Sequence, residues 1–299
     1  MDGVLVVDKP EGPTSHDVVA VARRALGVRQ VGHAGTLDPM ATGVLVLMVG
    51  SATRLARFLS SQPKAYDATI LLGVETDSGD RTGRVISRAA PEASWPEPGT
   101  VRVALGSLRG TFEQLPPAHS AKWVGGERAY TLARAGAEVP VRAVSVTLHD
   151  ASIVAYEPPR LRLAIRCSAG FYVRALARDL GRMLGCGGAL EALRRTESAD
   201  FTLDEAVPLD LLVSEPGAAR ERLIAMDRLL PGFPAVRLTA AGERKARHGN
   251  DLSAADLAGA APPCPRGGMV RLLAADGRLV GLARPAAPPA VLHPAVVLQ

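Results

Sequence analysis

Hydrophobic positions fall into short blocks along the chain, and the period changes from one block to the next. Gly3-Val-Leu-Val-Val7 is a continuous apolar run of strand length, closed by the stiff turn Asp8-Lys9-Pro10-Glu11-Gly12-Pro13 that presents Lys9. Either Thr14 or Ser15 can cap the helix that follows, in which Val18, Val19, Ala22, Ala25 and Leu26 share one face, Arg23 and Arg24 the other, and Gly27 stops the run. Val44-Leu-Val-Leu-Met-Val49 is apolar throughout, as a buried strand is. After Gly50, Ser51 caps a second predicted helix with Ala52, Leu55, Phe58 and Leu59 inward, ended by Pro63. From Tyr66 the period drops to two, with Tyr66, Ala68, Ile70 and Leu72 on one side of a strand.

Downstream the alternation continues. Gly73 to Gly83 is a polar turn between strands, 89–100 an exposed connection, and 100–109 a helix. A proline-stiffened extended stretch, 110–123, precedes a helix containing Tyr130, Leu132 and Ala133. Val144, Val146 and Leu148 mark one strand, and Leu161, Leu163, Ile165 and Cys167 another. A helix with Val173, Leu176, Ala177, Leu180 and Leu184 inward ends at Gly185, Gly187 and Gly188. Residues 204–230 read as helical, and Pro231-Gly-Phe-Pro234 marks a boundary. Beyond it, 235–299 is a series of short β-like runs, enough for a small barrel-sized appendage. The order predicts an α+β fold: a mixed, largely antiparallel sheet flanked by helices over 1–230, and a second domain over 235–299.

Composition narrows the function. A chain of 299 residues, 47% hydrophobic, has a real core and room for two domains. No stretch approaches the roughly 18 apolar residues of a membrane span, and the N-terminus lacks a signal pattern, so no membrane role and a cytoplasmic address are expected. Three scattered cysteines and six scattered histidines suit neither a disulfide framework nor a metal site. Asp77 and Asp80 lack the ligand alternation of a calcium loop. The net charge of +5 is carried largely by arginine, which is compatible with a nucleic-acid partner.

Candidate chemistry gathers at Val31-Gly-His-Ala-Gly-Thr-Leu-Asp-Pro-Met-Ala-Thr-Gly43, where a single carboxylate, Asp38, sits in a loop shaped by three glycines and a proline. Neither GxxxxGK[ST] nor GxGxxG occurs there, which excludes the common phosphate loops. Far along the chain, Arg174 falls in the first turn of its helix, where the dipole disfavours a cation; something other than helix stability must favour it.

Three stretches, Asp8-Lys-Pro-Glu-Gly12, Gly32-His-Ala-Gly-Thr-Leu-Asp-Pro-Met-Ala-Thr-Gly43 and Cys167-Ser-Ala-Gly-Phe-Tyr-Val-Arg174, resemble in order the signature motifs of the bacterial TruB-type tRNA pseudouridine synthases. The tail, with Arg247-His-Gly-Asn250 and its β segments, resembles the PUA RNA-binding domain of those enzymes. The resemblance implies isomerisation of uridine-55 in the tRNA T loop, by a monomer that uses neither cofactor nor metal. It implies Asp38 as the catalytic aspartate, Tyr66 as the tyrosine stacked on the target base and a candidate proton acceptor, and Arg174 as the partner of Asp38. By the same resemblance Tyr172 and Leu193 line the pocket, and Lys9 and His33 lie near the RNA, His33 filling the space the flipped base leaves. Phe171 stands where the family often has a small polar residue, and His119-Ser-Ala-Lys122-Trp departs from the family's Tyr-Ser-Ala-x-Lys. The contrasting expectation is a module that remodels the tRNA elbow as a folding chaperone without chemistry.

Overall fold

The apolar and period-two runs of the first 210 residues assemble into one ten-stranded mixed sheet in a computed structural model of the chain, which describes residues 1–90, 94–117, 123–124, 127–128, 142–264, 267–288 and 290–298. Its strand order is Val207–Pro208, Gly3–Lys9, Thr42–Val49, Gly188–Ser198, Lys64–Leu72, Arg160–Cys167, Val144–Glu157 and Gly110–Gln114. Val31–His33 adds to Thr42–Val49, and Phe201–Thr202 to Gly188–Ser198. Pairing is antiparallel except between Val207–Pro208 and Gly3–Lys9, and between Thr42–Val49 and Gly188–Ser198.

That second parallel junction is short. Only Arg194 pairs with Thr42 and Arg195 with Gly43. Further along the Gly188–Ser198 strand, the neighbour is instead the 79–81 turn: Leu190 N–H donates to the Gly79 carbonyl at 2.9 Å and Arg81 N–H to the Leu190 carbonyl at 2.9 Å. The sheet is therefore divided beside residues 38–42, and this division is where the site lies.

Local chemistry explains the flanking helices. Thr14 is the cap of Ser15–Leu26, closed by a reciprocal box in which Asp17 N–H donates to Thr14 Oγ1 at 3.1 Å and Thr14 N–H to Asp17 Oδ2 at 2.8 Å. Ser15 is left for another task, described below. The Val173–Met183 helix buries its apolar face with Leu5, Leu45 and Leu163 on one side of the sheet. On the other side Val4, Val6, Val44 and Val46 meet Leu55 and Leu59, together with Leu279, Leu282 and Leu298 from the C-terminal segment.

Several expectations change. Residues 50–60 form a 3₁₀ turn, Gly50–Leu55, before a short helix, Ala56–Ser60, and the N–H of Ser51 is capped by Asp2 at 2.6 Å. The 204–230 stretch is not one helical run: Pro208 lies in a short strand, and Pro216 starts a new helix, Pro216–Glu221, after Leu211–Ser214. Among the described residues the C-terminal strands Ala235–Arg237, Val270–Leu273, Leu279–Pro285 and Leu292–Val297 form a four-stranded sheet in that order, not a closed barrel. They carry a helix, Ala240–Arg247, that the sequence reading missed, because only Gly242 and Ala246 of it are buried and no apolar stripe announces it. The helix expected around Tyr130 lies outside the described residues. No helix among the described residues is long and apolar enough to cross a membrane.

Gly43 shows how tightly the junction is closed. Its φ is 100°, and a Cβ there would lie against the backbone carbonyl and nitrogen of Arg195. Gly43→Ala is expected to lower unfolding free energy by roughly 2–4 kcal/mol, as strain and backbone collision add, and urea denaturation with an unchanged m-value checks it.

Candidate active site

Asp38 occupies a loop fastened from several directions. Ser15 pins the residue before it: Leu37 N–H donates to Ser15 Oγ at 2.8 Å, and Ser15 Oγ–H to the Leu37 carbonyl at 3.1 Å. Lys9, at the end of the first strand and fully buried, donates from Nζ to the carbonyls of Ala41 at 2.7 Å, Pro10 at 2.9 Å and Pro39 at 3.3 Å. Lys9 thus lies beneath the loop and is not presented by the turn, a correction to the exposed position expected for it. Arg195, also fully buried, takes the other side, donating from Nε to the Val44 carbonyl at 2.7 Å, from Nη2 to Gly35 at 3.1 Å and from Nη1 to Thr36 at 3.3 Å.

Arg174 then meets the carboxylate. Its Nε lies 2.9 Å from Asp38 Oδ2 and its Nη2 donates to Asp38 Oδ1 at 3.1 Å, a two-pronged pair in which the arginine side chain is 7% exposed and the aspartate 34%. Nη1 donates to the Ser78 carbonyl at 3.1 Å and lies 3.7 Å from Asp80 Oδ2. Asp80 is itself buried and fixed by Ser78 Oγ at 2.8 Å, Thr82 N–H at 2.9 Å and Thr82 Oγ1 at 2.6 Å. Two carboxylates thus answer the unfavourable placement of a cation in a first helical turn.

Above the pair lies a cavity of about 240 Å³, walled by Tyr66, Tyr172, Phe171 and Leu193 and floored by Lys64 and Arg195. The structure brings Asp38, Tyr66, Tyr172, Arg174 and Leu193 to this one cavity. His33 is not in its lining; it is half-buried on the Val31–His33 strand, paired in register with Leu47. His119 and Lys122 lie outside the described residues.

Two polar groups around Tyr66, Lys64 and Arg195, were not singled out from the sequence. Lys64 Nζ donates to the Gln62 carbonyl at 2.8 Å and to that of Ser60 at 2.9 Å, and burial, then the charge of Arg195, pulls its pKa down to about 8. Burial raises the Tyr66 phenol above its ordinary range, opposed by the charge of Arg195 and a hydrogen bond with it. Burial also pushes the Cys167 thiol up to about 12, so that it stays protonated and is no nucleophile. The signal was a period of two: Lys64 and Arg195 lie two residues from Tyr66 and Leu193, on the same faces of paired strands. Asp80, considered only as a calcium ligand, is instead part of the Arg174 network. Among the described residues no group of three or more His, Cys, Asp or Glu is placed to hold a metal ion.

Comparison with known proteins follows the same lines. The model of the TruB family pseudouridylate synthase N-terminal domain matches residues 23–173, and that of the tRNA pseudouridylate synthase B C-terminal domain matches 174–230. A tRNA pseudouridine synthase B of Aromatoleum aromaticum is 43% identical over 283 residues, covering 94% of this chain and 88% of its own. One of Solibacter usitatus is 41% identical over 302 residues, covering all of both chains. Among solved structures, a chain of an H/ACA ribonucleoprotein bound to a substrate RNA containing 2′-deoxyuridine shares the fold with a TM-score of 0.74 at 22% identity, covering 99% of this chain and 85% of that one. A Cbf5-Nop10-Gar1 complex gives 0.74 at 25% identity, covering 99% and 84%.

The two buried lysines make stability depend on pH. Burial lowers Lys9, as well as Lys64, from 10.5 to about 8, with the charge of Asp38 opposing the shift at Lys9. Between pH 8 and 10.5 the unfolded chain binds more protons than the folded one, so stability rises with pH across that window, while below pH 8 the burial penalty is fully present. Relative to Lys64→Met, the wild type is expected to gain on the order of 3 kcal/mol between pH 7 and 10.5, read from denaturation midpoints at each pH.

Proposed function

We propose that this chain, which belongs to the TruB family of pseudouridylate synthases, isomerises uridine-55 in the T loop of tRNA to pseudouridine. The observation that carries the reading is a carboxylate held two-pronged by Arg174 and open, at 34% exposure, beside a cavity walled by two tyrosines. A uridine inside a folded loop hides its C5 and its glycosidic bond, so the nucleotide is swung out, which costs a few kcal/mol. Stacking on Tyr66 and Tyr172 returns about 1–3 kcal/mol per base, with Leu193 closing the edge.

Asp38 then breaks N1–C1′, either by adding to the sugar or by taking a sugar proton; both routes require its oxygens to be aimed, which Arg174 does. The uracil leaves with the electron pair of that bond, turns within the closed cavity, and bonds through C5 to C1′ as Asp38 leaves the sugar or returns the proton it took. The C5 proton is lost and a nitrogen proton gained, so the product is an isomer of the substrate and no other reactant is needed. Tyr66 is assigned the C5 proton, with Arg195 as the charge beside its hydroxyl. Lys9 is assigned to holding the Asp38 loop, and His33, outside the cavity, to the space the base vacates. We take 1–230 as the catalytic part and 235–299 as an RNA-binding domain of PUA type, in a chain acting as a cytoplasmic monomer without metal.

Two substitutions test the reading. Asp38→Asn is expected to abolish carbon-linked nucleoside from a uridine-labelled T stem-loop while tRNA Kd stays within about tenfold; a pure RNA chaperone would keep its activity in this variant. Tyr66→Phe keeps the stacking ring and removes the hydroxyl, and kcat is expected to fall by about 10²–10⁴ with little change in KM.

A further inference from the structure

One buried amide lies behind the pocket wall and outside the cavity lining. Gln114 ends the edge strand Gly110–Gln114 and is 1% exposed. Its carboxamide is spent on a single residue: Tyr172 N–H donates to Gln114 Oε1 at 2.8 Å, and Gln114 Nε2 donates to the Tyr172 carbonyl at 3.1 Å. The side chain therefore does for Tyr172 what a neighbouring strand would do, at a residue that belongs to no strand. Tyr172 is also the cap residue of the Val173–Met183 helix, with no side chain suited to capping, and holds an extended backbone at φ −108° and ψ 109°.

The same strand grips the neighbouring residues. Phe112 meets Phe171 edge-on, with centroids 6.1 Å apart and planes at 89°. Just past Gln114, the Leu115 carbonyl accepts from Arg178 Nη2 at 3.0 Å. An aromatic wall and the helix that carries Arg174 are thus set against one edge strand and the residue after it, and Gln114 makes the only two of these bonds that reach the backbone of a cavity residue among the described contacts.

We propose that Gln114 is a positioning residue of the uridine pocket: its carboxamide fixes the Tyr172 backbone, and through it aims the stacking ring and sets the helical turn that delivers Arg174 to Asp38. The proposal rests on Tyr172 being a wall of the base pocket. Gln114 touches no reacting atom. Misplacement of a pocket by about 1 Å lowers rates on the order of 10²-fold even when the ligand still binds, so the consequence falls on kcat more than on RNA affinity.

The chemistry of the amide supplies a test that a packing role would not pass. Gln114→Leu leaves the Tyr172 N–H and carbonyl without their partner, and kcat is expected to fall about 10–100-fold at every pH, with tRNA Kd within about twofold. Gln114→Glu keeps the shape. When ionised, the introduced carboxyl has no proton to donate and sets its charge against the Tyr172 carbonyl; when protonated, it again offers one acceptor and one donor. Burial raises such a carboxyl above its usual value of about 4.3, so the kcat of Gln114→Glu relative to wild type is expected to be low at pH 8 and to climb as pH falls toward 5. Wild-type kcat in both variants overturns the proposal, as does a ratio for Gln114→Glu that is flat with pH, or a loss that only follows the fraction unfolded in parallel melts. Asp38→Asn measured beside them separates the two readings: full activity there defeats the pocket assignment itself, whereas an inactive Asp38→Asn with normal Gln114 variants defeats only the positioning role.

Discussion

The fold turns on a guanidinium from one end of the sheet domain reaching a carboxylate from the other. Arg174 and Asp38 are 136 residues apart in sequence and meet at 2.9 Å. A pair this close to the interior gives little net stability, because desolvation offsets most of the attraction. Nor does helix formation favour a cation in a first turn. What the pair does secure is direction. With Arg174 also tied to the Ser78 carbonyl and near Asp80, the guanidinium plane is fixed before it meets Asp38, and the carboxylate is left partly open on the cavity side.

The way the Asp38 loop is held is consistent with that purpose. Lys9 and Arg195 are both fully buried cations, and apart from the bond between Arg195 and the Tyr66 hydroxyl the described hydrogen bonds of their nitrogens go to backbone carbonyls. Carboxylates in those places would compete with Asp38 for Arg174 and would cancel the positive charge around the pocket. Carbonyls satisfy the donors and leave the charge in place, at a desolvation cost visible in the lowered pKa of Lys9 and Lys64. For the proposed reaction, in which uracil leaves with an electron pair, surroundings of that sign are favourable.

The sequence was informative where one residue type had to satisfy a local rule. The Asp38 loop, the capped helix after Pro13 and the alternation from Tyr66 followed from glycine, proline, capping and period, and the strands were found where those rules placed them. It was silent where burial reversed the usual sense of a residue. Lys9, in a turn full of prolines, reads as a presented cation, yet it points inward because three carbonyls converge there. Lys64 lies just before the alternation read from Tyr66, and the Gly188–Ser198 strand that carries Arg195 was not anticipated. The polar helix Ala240–Arg247 was missed for the related reason that it packs through Gly242 and Ala246, residues too small to mark a face.

Register explains why neighbouring arginines do different work. In the Gly188–Ser198 strand, Arg194 lies opposite Asp67 and Arg195 opposite Tyr66. Since successive side chains alternate across a sheet, Arg195 enters the pocket floor, while Arg194 turns to the opposite face and grips Asp8 at 2.8 and 3.1 Å. A slip of one residue would exchange the two, taking the charge from beside Tyr66 and turning Leu193 out of the wall. Irregularities in the pairing on either side of this stretch, between Leu190 and Ala192 and between Arg195 and Glu197, mark where the strand departs from a regular ladder, and the run from Ala192 to Arg195 between them is the part that must stay in step. The two-residue parallel junction to Thr42 and Gly43 falls within that run, so the alignment that places Arg195 beside Tyr66 in the cavity is the same one that seats the end of the Asp38 loop.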